Sequence, residues 1–332
     1  MNRIFAAFES RQSPDDLTRL CFDLLSQQKK TWPDLRQGYE ALNKVMEREI
    51  ACRGFSVHLQ YNPGRINSSL ANVEKKTVSV KPCFLCRNNL PEEQRGIVFE
   101  KEFLILCNPA PVFPSHLTIC HREHRPQSMA ENAGTFLQLI EDLGDAWILL
   151  YNGPKCGASA PDHLHFQAVE RGNMPIETQI IEENRLDIIQ EARGVQLSRA
   201  RELGREILVL DGDDRGGLAV GLKRVLFALK AIVHSEEEAM MNMVGFHRMG
   251  KTRLLVFPRK KHRPETFFRE GDDRIVVSPG AVEMGGVFVT PVERDFKRLD
   301  AATVEGILKE VCLDGKVVDR VAGALSRQDE PL

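Results

Sequence analysis

The stretch NGPKCGASAPDHLHFQAVE, Asn152 to Glu170, joins a loop of small residues to an apolar segment that carries polar side chains. Side chains alternate along a strand, so in HLHFQAV we expect His163, His165 and Gln167 to share one face, about 7 Å apart. The apolar residues between them then face the core. Such a polar row is costly without binding partners. The pattern favours a functional strand, and an exposed edge strand with incidental histidines is the alternative.

Small residues dominate the loop before this strand. The loop contains Gly153, Gly157 and Ser159, all upstream of His165. Backbone N–H groups in such a loop can approach a phosphate closely, because no bulky side chain shields them. The loop therefore predicts a phosphate-binding turn beside the polar face of the strand.

One closely spaced cysteine pair stands out among the eight cysteines. Cys83 and Cys86 have the Cys-x-x-Cys spacing of zinc thiolates, and a structural zinc site needs two further ligands. In a reducing compartment this spacing is more typical of a metal clamp or redox site than of a disulfide. A free pair in a turn is the alternative. The other cysteines are interpreted as small core residues: Cys21, Cys52, Cys107, Cys120, Cys156 and Cys312.

Length and charge narrow the class of protein. A chain of 332 residues predicts two domains or two fused repeats. A net charge of −2 argues against a dedicated nucleic-acid binder, but a small phosphate ligand needs only a local basic cluster. No apolar run of about 18 residues and no secretory leader are visible. We therefore expect a cytoplasmic protein that binds neither nucleic acid nor membrane.

Helices and strands alternate along most of the chain. Ser13 is a good helix N-cap, and Ser128 followed by Glu131 has the spacing of a capping box. Helices are predicted after Ser13, over residues 35–50, after Ser128, and over 185–203 and 218–243. Strands are predicted over residues 55–59, 97–108 (a hairpin or one long bent strand), 116–120, 147–151 and 285–291.

A weak internal repeat suggests two related units. TICHREHRP (residues 118–126) is similar to VFPRKKHRP (256–264), each a short apolar strand followed by a basic turn. We predict N-terminal helices over 1–50, a catalytic unit with the metal site over 51–180 and a degenerate unit over 181–332. The segment GGVFV in the second unit has no His-x-His, so this unit is expected to shape the site without catalysing. The basic run 259–263 is interpreted as a solvated turn, with anion binding as the alternative.

The motifs together resemble a known superfamily. HLHFQ resembles the His-x-His-x-Gln signature of the transferase and phosphorylase branch of the histidine-triad superfamily, which includes the galactose-1-phosphate uridylyltransferases, diadenosine tetraphosphate phosphorylases and GDP-hexose phosphorylases. Asn152 and the GASAPDH run extend the match, and CFLC (83–86) resembles the zinc-binding start of the uridylyltransferases. QYNPGR (60–65) is similar to a stretch of the GDP-hexose phosphorylases, or is a plain turn. The resemblance implies an α+β fold of two fused histidine-triad-like repeats, each an antiparallel sheet with packed helices.

The resemblance also implies roles for individual residues. His165 would attack the α-phosphorus, and Gln167 would bind a phosphoryl oxygen; a neutral imidazole is a good nucleophile near pH 7. The residues implied to hold the nucleotide phosphates are Asn152, Gly157 and Ser159, and Arg65 is expected, with Ser159, to bind the anionic acceptor. The implied zinc ligands are Cys83, Cys86, His124 and His163. His116 and His121 compete with His124 for the third ligand position.

The expected reaction follows from these roles. We expect a nucleotidyltransferase that moves a nucleoside monophosphate from a nucleotide sugar to phosphate or a sugar 1-phosphate through a nucleotidyl-histidine. The alternatives are a dinucleoside polyphosphate phosphorylase and a non-catalytic, zinc-stabilised nucleotide-binding protein. Simple hydrolysis is disfavoured, because the hydrolase branch carries a third histidine where this chain has Gln167. The base, the sugar and the acceptor stay open, and so does the formation of a homodimer.

Overall fold

Two β-sheets form the framework of the protein. The computed structural model describes residues 3–10, 13–66, 82–181, 185–192 and 194–326. The strands are β1 (Ile4–Phe8), β2 (Met46–Ala51), β3 (Ser56–Tyr61), β4 (Gly96–Phe99), β5 (Phe103–Cys107), β6 (His116–His121), β7 (Trp147–Asn152), β8 (His165–Glu170), β9 (Leu186–Ala192), β10 (Val195–Ala200), β11 (Ile207–Gly212), β12 (Met241–Arg248), β13 (Lys251–Pro258) and β14 (Val287–Thr290).

The larger sheet has 11 strands in the order β1-β4-β5-β6-β8-β7-β12-β13-β11-β10-β9. Its neighbouring strands are antiparallel, except that β1 runs parallel to β4. A second sheet has the order β14-β3-β2. The helices are α1 (Pro14–Thr31), α2 (Pro33–Leu42), α3 (Ala133–Leu143), α4 (Ile176–Gln179), α5 (Arg215–Ile232), α6 (Glu265–Phe268), α7 (Ala281–Met284), α8 (Glu293–Arg298), α9 (Ala301–Val311) and α10 (Gly315–Ser326).

The large sheet consists of two halves with the same topology. In each half a hairpin, a third strand, a helix and two further strands follow one another: β4, β5, β6, α3, β7, β8 and then β9, β10, β11, α5, β12, β13. The spatial orders β4-β5-β6-β8-β7 and β9-β10-β11-β13-β12 are identical, and the halves meet where β7 pairs with β12. The predicted α+β fold of two fused repeats is confirmed.

The sequence repeat that suggested two units is out of register with this topology. The segment VFP at residues 256–258 ends β13, whose counterpart in the first half is β8 and not β6. The counterpart of β6 is β11. The residues GGVFV, in turn, lie at β14 in the small sheet, outside both halves. The strand that corresponds to β8, KTRLLVFP, has no histidine.

The two faces of the large sheet are covered by different elements. Leu149 and Phe166 belong to a core shared with α1, α3, α5 and α10, whereas Leu150 and Val169 belong to a core shared with the small sheet and α9. This division follows from the alternation of side chains along β7 and β8. Both faces of these strands are therefore buried over most of their length.

Several predicted helices are wrong in extent. The helix predicted over 35–50 ends at Leu42, and the residues after it form β2, which pairs with β3. Leu186–Ala192 and Val195–Ala200 form the antiparallel strands β9 and β10 where a helix was predicted, and Gly194, just before β10, has a φ of +75°. The helix predicted over 218–243 is α5, which ends at Ile232. The residues from Met241 onward form β12, which pairs with β7 and β13. In each segment, strand pairing outweighs local helix propensity.

Other predicted elements agree with the structure. The helix α1 follows Ser13, the hairpin β4–β5 covers most of residues 97–108, and β6, β7 and β14 lie at predicted strands. The helix α3 begins at Ala133 with Asn132 as its N-cap, so the predicted capping box at Ser128 does not form.

The proposed division into residues 1–50, 51–180 and 181–332 stays a prediction, and its outer ends lie outside the described residues. The first of these segments contains strand β1 and most of β2 beside its helices. Among the described residues no helix has both the length and the apolar character needed to cross a membrane.

Candidate active site and metal centre

Strands β6 and β8 present polar side chains on the face opposite α1 and α3. Cys120 pairs with His165 and Thr118 with Gln167 across the two strands. The predicted core residues Leu164, Phe166 and Ala168 lie in the helix-side core, so the predicted alternation is confirmed for them. The strand begins at His165, two residues later than expected, and His163 lies in the turn before it.

The His165 ring is held in one tautomer. Its Nδ1 lies 2.8 Å from the backbone carbonyl oxygen of His163. A carbonyl oxygen only accepts, so Nδ1 carries the proton and Nε2 carries the lone pair. This Nε2 is buried and has no hydrogen-bond partner among the described residues. Burial lowers the pKa of His165 to about 4, so the ring is neutral at pH 7.

Gln167 is hydrogen-bonded to His116, which the sequence suggested as a possible metal ligand. His116 Nε2 lies 2.7 Å from Gln167 Oε1, and His116 Nδ1 lies 3.2 Å from the backbone nitrogen of Val112. Burial lowers the pKa of His116 to about 3. His116 is therefore a neutral ring inside the site, next to the amide that the signature motif contributes.

A cavity of about 410 Å³ lies between strands β6 and β8 and the segment that follows β13. All six residues predicted to bind the nucleotide or the acceptor or to catalyse lie in its wall: Arg65, Asn152, Gly157, Ser159, His165 and Gln167. The segment after β13 adds side chains that the sequence did not single out: Ser278 and Glu283. Burial raises the pKa of Glu283 to about 7. The cavity is large enough for a small-molecule ligand.

Asn152 connects the first half to the second. Its Oδ1 accepts hydrogen bonds from Asn242 Nδ2 and from the backbone nitrogen of Ala281, each at 2.7 Å. Asn242 Oδ1 in turn accepts from the Arg259 guanidinium. The carboxamide oxygen of Asn152 is thus engaged within the protein, and its Nδ2 is the group left for a ligand.

The basic run at 259–263 is not a solvated turn. Arg259 is only 2% exposed and donates hydrogen bonds to the carbonyl oxygens of Pro279 and Val311. His262 and Arg263 line the cavity. The expectation of a solvated turn is wrong for these residues, because β13 delivers them to the junction of the halves rather than to the surface.

Gly157 has a backbone conformation that favours glycine. Its φ is +91°, and a Cβ atom there would lie 3.4 Å from Gly280 Cα and 3.5 Å from His262 Nε2. Residues with a side chain rarely adopt this φ. The small-residue loop therefore contributes by its backbone conformation, while Ser159 nearby is exposed at the cavity wall.

Four metal-binding side chains converge beside β8. The ligand atoms of Cys83, Cys86, His124 and His163 all lie within 4.8 Å of one another. His163 Nδ1 is 3.3 Å from Cys83 Sγ, and His124 Nδ1 is 3.3 Å from Cys86 Sγ. A tetrahedral zinc site with ordinary bond lengths has S···N separations of roughly 3.6 Å. The cluster could hold a metal ion.

Hydrogen bonds outside the cluster orient its histidines. His163 Nε2 lies 2.8 Å from the carbonyl oxygen of His121, which leaves the Nδ1 lone pair facing the thiols. His124 Nε2 lies 3.3 Å from the carboxylate of Asp162. Of the competing histidines, His121 contacts the backbone of Glu123, and neither it nor His116 belongs to the cluster.

The fold and this site define a class: an α+β protein of two fused units, with a cavity lined by strands β6 and β8 and a Cys2His2 cluster beside it. The same fold occurs in yeast Ap4A phosphorylase Apa2, which is 14% identical with a TM-score of 0.58 and covers 90% of this chain and 94% of that chain. The complex of Apa2 with AMP is 15% identical with a TM-score of 0.59, and the match covers 90% of this chain and 96% of that chain. The complex with Ap4A is 14% identical with a TM-score of 0.55, and the match covers 85% of this chain and 97% of that chain. At these identities the likeness establishes the fold.

Sequence comparison finds one family match over part of the chain. A family described as a domain of unknown function, DUF4922, matches residues 24–170, which include the four cluster residues, His165 and Gln167. No curated protein sequence matches the chain.

Proposed function

We propose that the protein is a nucleotidyltransferase that carries a nucleoside monophosphate on Nε2 of His165. The observation that supports this most directly is the state of that nitrogen: it bears a lone pair, it is buried in a ring that lines the cavity, and it has no partner among the described residues. Buried polar atoms without a partner are uncommon in folded proteins and call for an explanation. An incoming phosphoryl group would supply the missing partner.

The first step forms a phosphoramidate. The Nε2 lone pair attacks the α-phosphorus, a P–N bond forms, and the P–O bond to the leaving phosphate breaks, so that the leaving group departs as an anion. The Nδ1 proton stays on the ring, and the positive charge that develops there is stabilised by the carbonyl oxygen of His163 at 2.8 Å. In the second step an acceptor oxygen attacks phosphorus and releases the neutral histidine.

The donor shares one chemical feature in both candidate reactions. A nucleotide sugar, as the sequence suggests, and a dinucleoside polyphosphate both contain a nucleoside 5′-phosphoryl group joined to phosphate by an anhydride bond. The fold likeness to a phosphorylase solved with AMP and with Ap4A supports the dinucleoside polyphosphate as the second candidate donor. We propose phosphate or a sugar 1-phosphate as the acceptor, because an anionic oxygen needs no general base.

We propose zinc for the Cys2His2 cluster. Two thiolates and two imidazole nitrogens are a common donor set of structural zinc, and the hydrogen bond from His163 Nε2 to a carbonyl fits a ligand that binds through Nδ1. A bound zinc would fix the turn at His163 and so the carbonyl that orients His165. The homodimer suggested earlier stays a prediction.

The experiment that tests the function is a donor panel read by intact mass. The protein would be incubated with UDP-glucose, GDP-mannose, ADP-glucose and diadenosine tetraphosphate, each without an acceptor. We expect one donor to add the mass of one nucleoside monophosphate, and this adduct to be absent from His165→Ala. Binding of nucleotides without any adduct would support the non-catalytic, zinc-stabilised binding protein instead.

A further inference from the structure

We propose that His116 is a positioning residue that fixes the direction of the Gln167 carboxamide, with its N–H2 group toward the phosphoryl site and its oxygen toward His116. The proposal rests on the proposed function of His165 and assigns a role to a residue that the signature motif does not include. The two residues are diagonal neighbours on β6 and β8, since Gln167 pairs with Thr118 and His116 pairs with Val169. Diagonal pairs on one sheet face are within reach of long side chains.

The hydrogen bonds around His116 decide its tautomer. The backbone N–H of Val112 points at His116 Nδ1 at 3.2 Å, so Nδ1 must accept. A neutral ring then carries its proton on Nε2, which lies 2.7 Å from Gln167 Oε1. Asn108 Nδ2 also approaches Nε2, at 3.4 Å, but with its proton in place Nε2 has no lone pair to accept a bond. His116 can therefore only donate toward Gln167.

Because His116 can only donate, this hydrogen bond selects one of the two orientations that the Gln167 carboxamide could adopt. A carboxamide can turn over with little change in shape, and the two orientations present opposite charges to a ligand. With Oε1 held by His116, the Nε2 hydrogens of Gln167 are directed away from His116, and no described residue accepts from them. They are the group available to an anionic phosphoryl oxygen. The reversed orientation would place an amide oxygen against that anion.

The position of His116 is itself built into the fold. Its backbone nitrogen lies 3.2 Å from the hydroxyl of Tyr39, and the ring is 1% exposed. Gln167 is more exposed than His116, although both residues line the cavity. A buried, neutral and fixed donor behind an accessible amide is the arrangement expected of a group that orients another for transition-state stabilisation.

The first test reads the tautomer in the wild-type protein and needs no activity. Nitrogen-15 chemical shifts of the His116 ring at neutral pH are expected to show a protonated Nε2 and an unprotonated Nδ1. A protonated Nδ1, or a doubly protonated ring, would overturn the proposal whether or not the protein transfers nucleotides.

The second test is a double-mutant cycle on the rate at which His165 is loaded by the donor identified with the panel. We expect His116→Phe and Gln167→Ala each to lower the loading rate by about 10²-fold, the typical effect of losing one preorganised donor. The double variant should be no slower than the slower single variant, because His116 acts only through Gln167. Multiplied losses would overturn the proposal.

A conservative variant separates positioning from packing. In His116→Gln the side chain can still donate to Gln167, so loading should exceed that of His116→Phe, with thermal unfolding measured on all variants. Equal loading by the two variants would contradict the donor role. If His165→Ala loads as fast as the wild type, the proposed function fails, while the tautomer measurement still decides the state of His116.

Discussion

The backbone carbonyl oxygen of His163 accepts a hydrogen bond from Nδ1 of His165 at 2.8 Å. The side chain of the same His163 lies 3.3 Å from Cys83 Sγ through its own Nδ1. One residue therefore belongs to the metal cluster by its ring and orients the proposed nucleophile by its backbone. Anything that displaces the turn at His163 should disturb both the metal site and the reactivity of His165.

Removal of the two thiols tests this connection. In the Cys83→Ser, Cys86→Ser double variant we expect loss of the proposed zinc, which should be about one per chain in the wild type, because a structural site needs its thiolates. The unfolding temperature should fall, since structural zinc contributes about 10 kcal/mol or more of binding free energy. The rate of His165 loading should fall as well. Metal analysis, thermal unfolding and the loading assay measure the three effects.

Cys52→Ser is the matched control, because Cys52 is a partly buried thiol outside the cluster. It should retain the metal. Full metal content in the double variant would move the metal site elsewhere, and lost metal with unchanged loading would contradict the coupling through His163.

Gln167→Glu tests the donor at the phosphoryl oxygen. The substitution keeps the size and the acceptor oxygen of the side chain but removes the N–H2 group and adds a negative charge. We expect kcat to fall by about 10²-fold or more, measured with the donor that loads the wild type. Gln196→Glu makes the same change on β10, outside the cavity. Equal losses in the two variants would mean that the effect is not local to the site.

The acceptor preference follows from the amide at Gln167, two residues after His165 on β8. Gln167 cannot take a proton from water, whereas phosphate is already anionic. Loaded enzyme, freed of donor, should discharge quickly with phosphate or a hexose 1-phosphate and slowly in buffer alone. Release of the nucleotide after separate addition of each acceptor measures this. Discharge at the same rate in plain buffer would identify a hydrolase.

A carboxyl group between the halves should make stability depend on pH. Glu238 accepts hydrogen bonds from the hydroxyl of Tyr151 and the backbone nitrogen of Met129, each at 2.6 Å, and burial raises its pKa to about 6 from 4.5. The native state thus binds more protons than the unfolded state between these values, and the stability this provides is lost as pH rises through 6. Relative to Glu238→Gln, the wild type should lose about 2 kcal/mol of unfolding free energy between pH 4.5 and 7.

Denaturant unfolding of both proteins at each pH measures this difference, and the exposed Glu236→Gln provides the matched control. A wild-type stability that rises relative to Glu238→Gln over the same range would contradict the sign of the shift.

The local signals in the sequence predicted the parts of the site that depend on spacing. The alternation in HLHFQAV placed Leu164 and Phe166 in the core, and Cys-x-x-Cys spacing indicated a cluster that the fold completes with His124 and His163. Such patterns are properties of a few neighbouring residues. Predictions from such patterns agree with the structure because the conformation of a single strand or turn determines where these side chains lie.

The remaining features depend on pairing between distant segments. The hairpin β9–β10 has apolar residues at spacings that also suit a helix, and only its place at the sheet edge decides for a strand. The burial of Arg259 and the bond from His116 to Gln167 depend on which strands become neighbours. The spacing of residues along the chain does not indicate which strands pair. The part of the cavity lined by His262, Arg263, Ser278 and Glu283 was therefore not predictable from the sequence.

The most direct test of the central claim is the intact mass of the protein after incubation with the donor panel, in the wild type, His165→Ala and His58→Ala. His58 is exposed on β3, away from the cavity, and serves as the matched control. We predict one added nucleoside monophosphate in the wild type and in His58→Ala, none in His165→Ala, and a loss of transfer by roughly 10⁴-fold or more in that variant. An adduct of the same mass on His165→Ala, or turnover near the wild-type rate, would contradict the account.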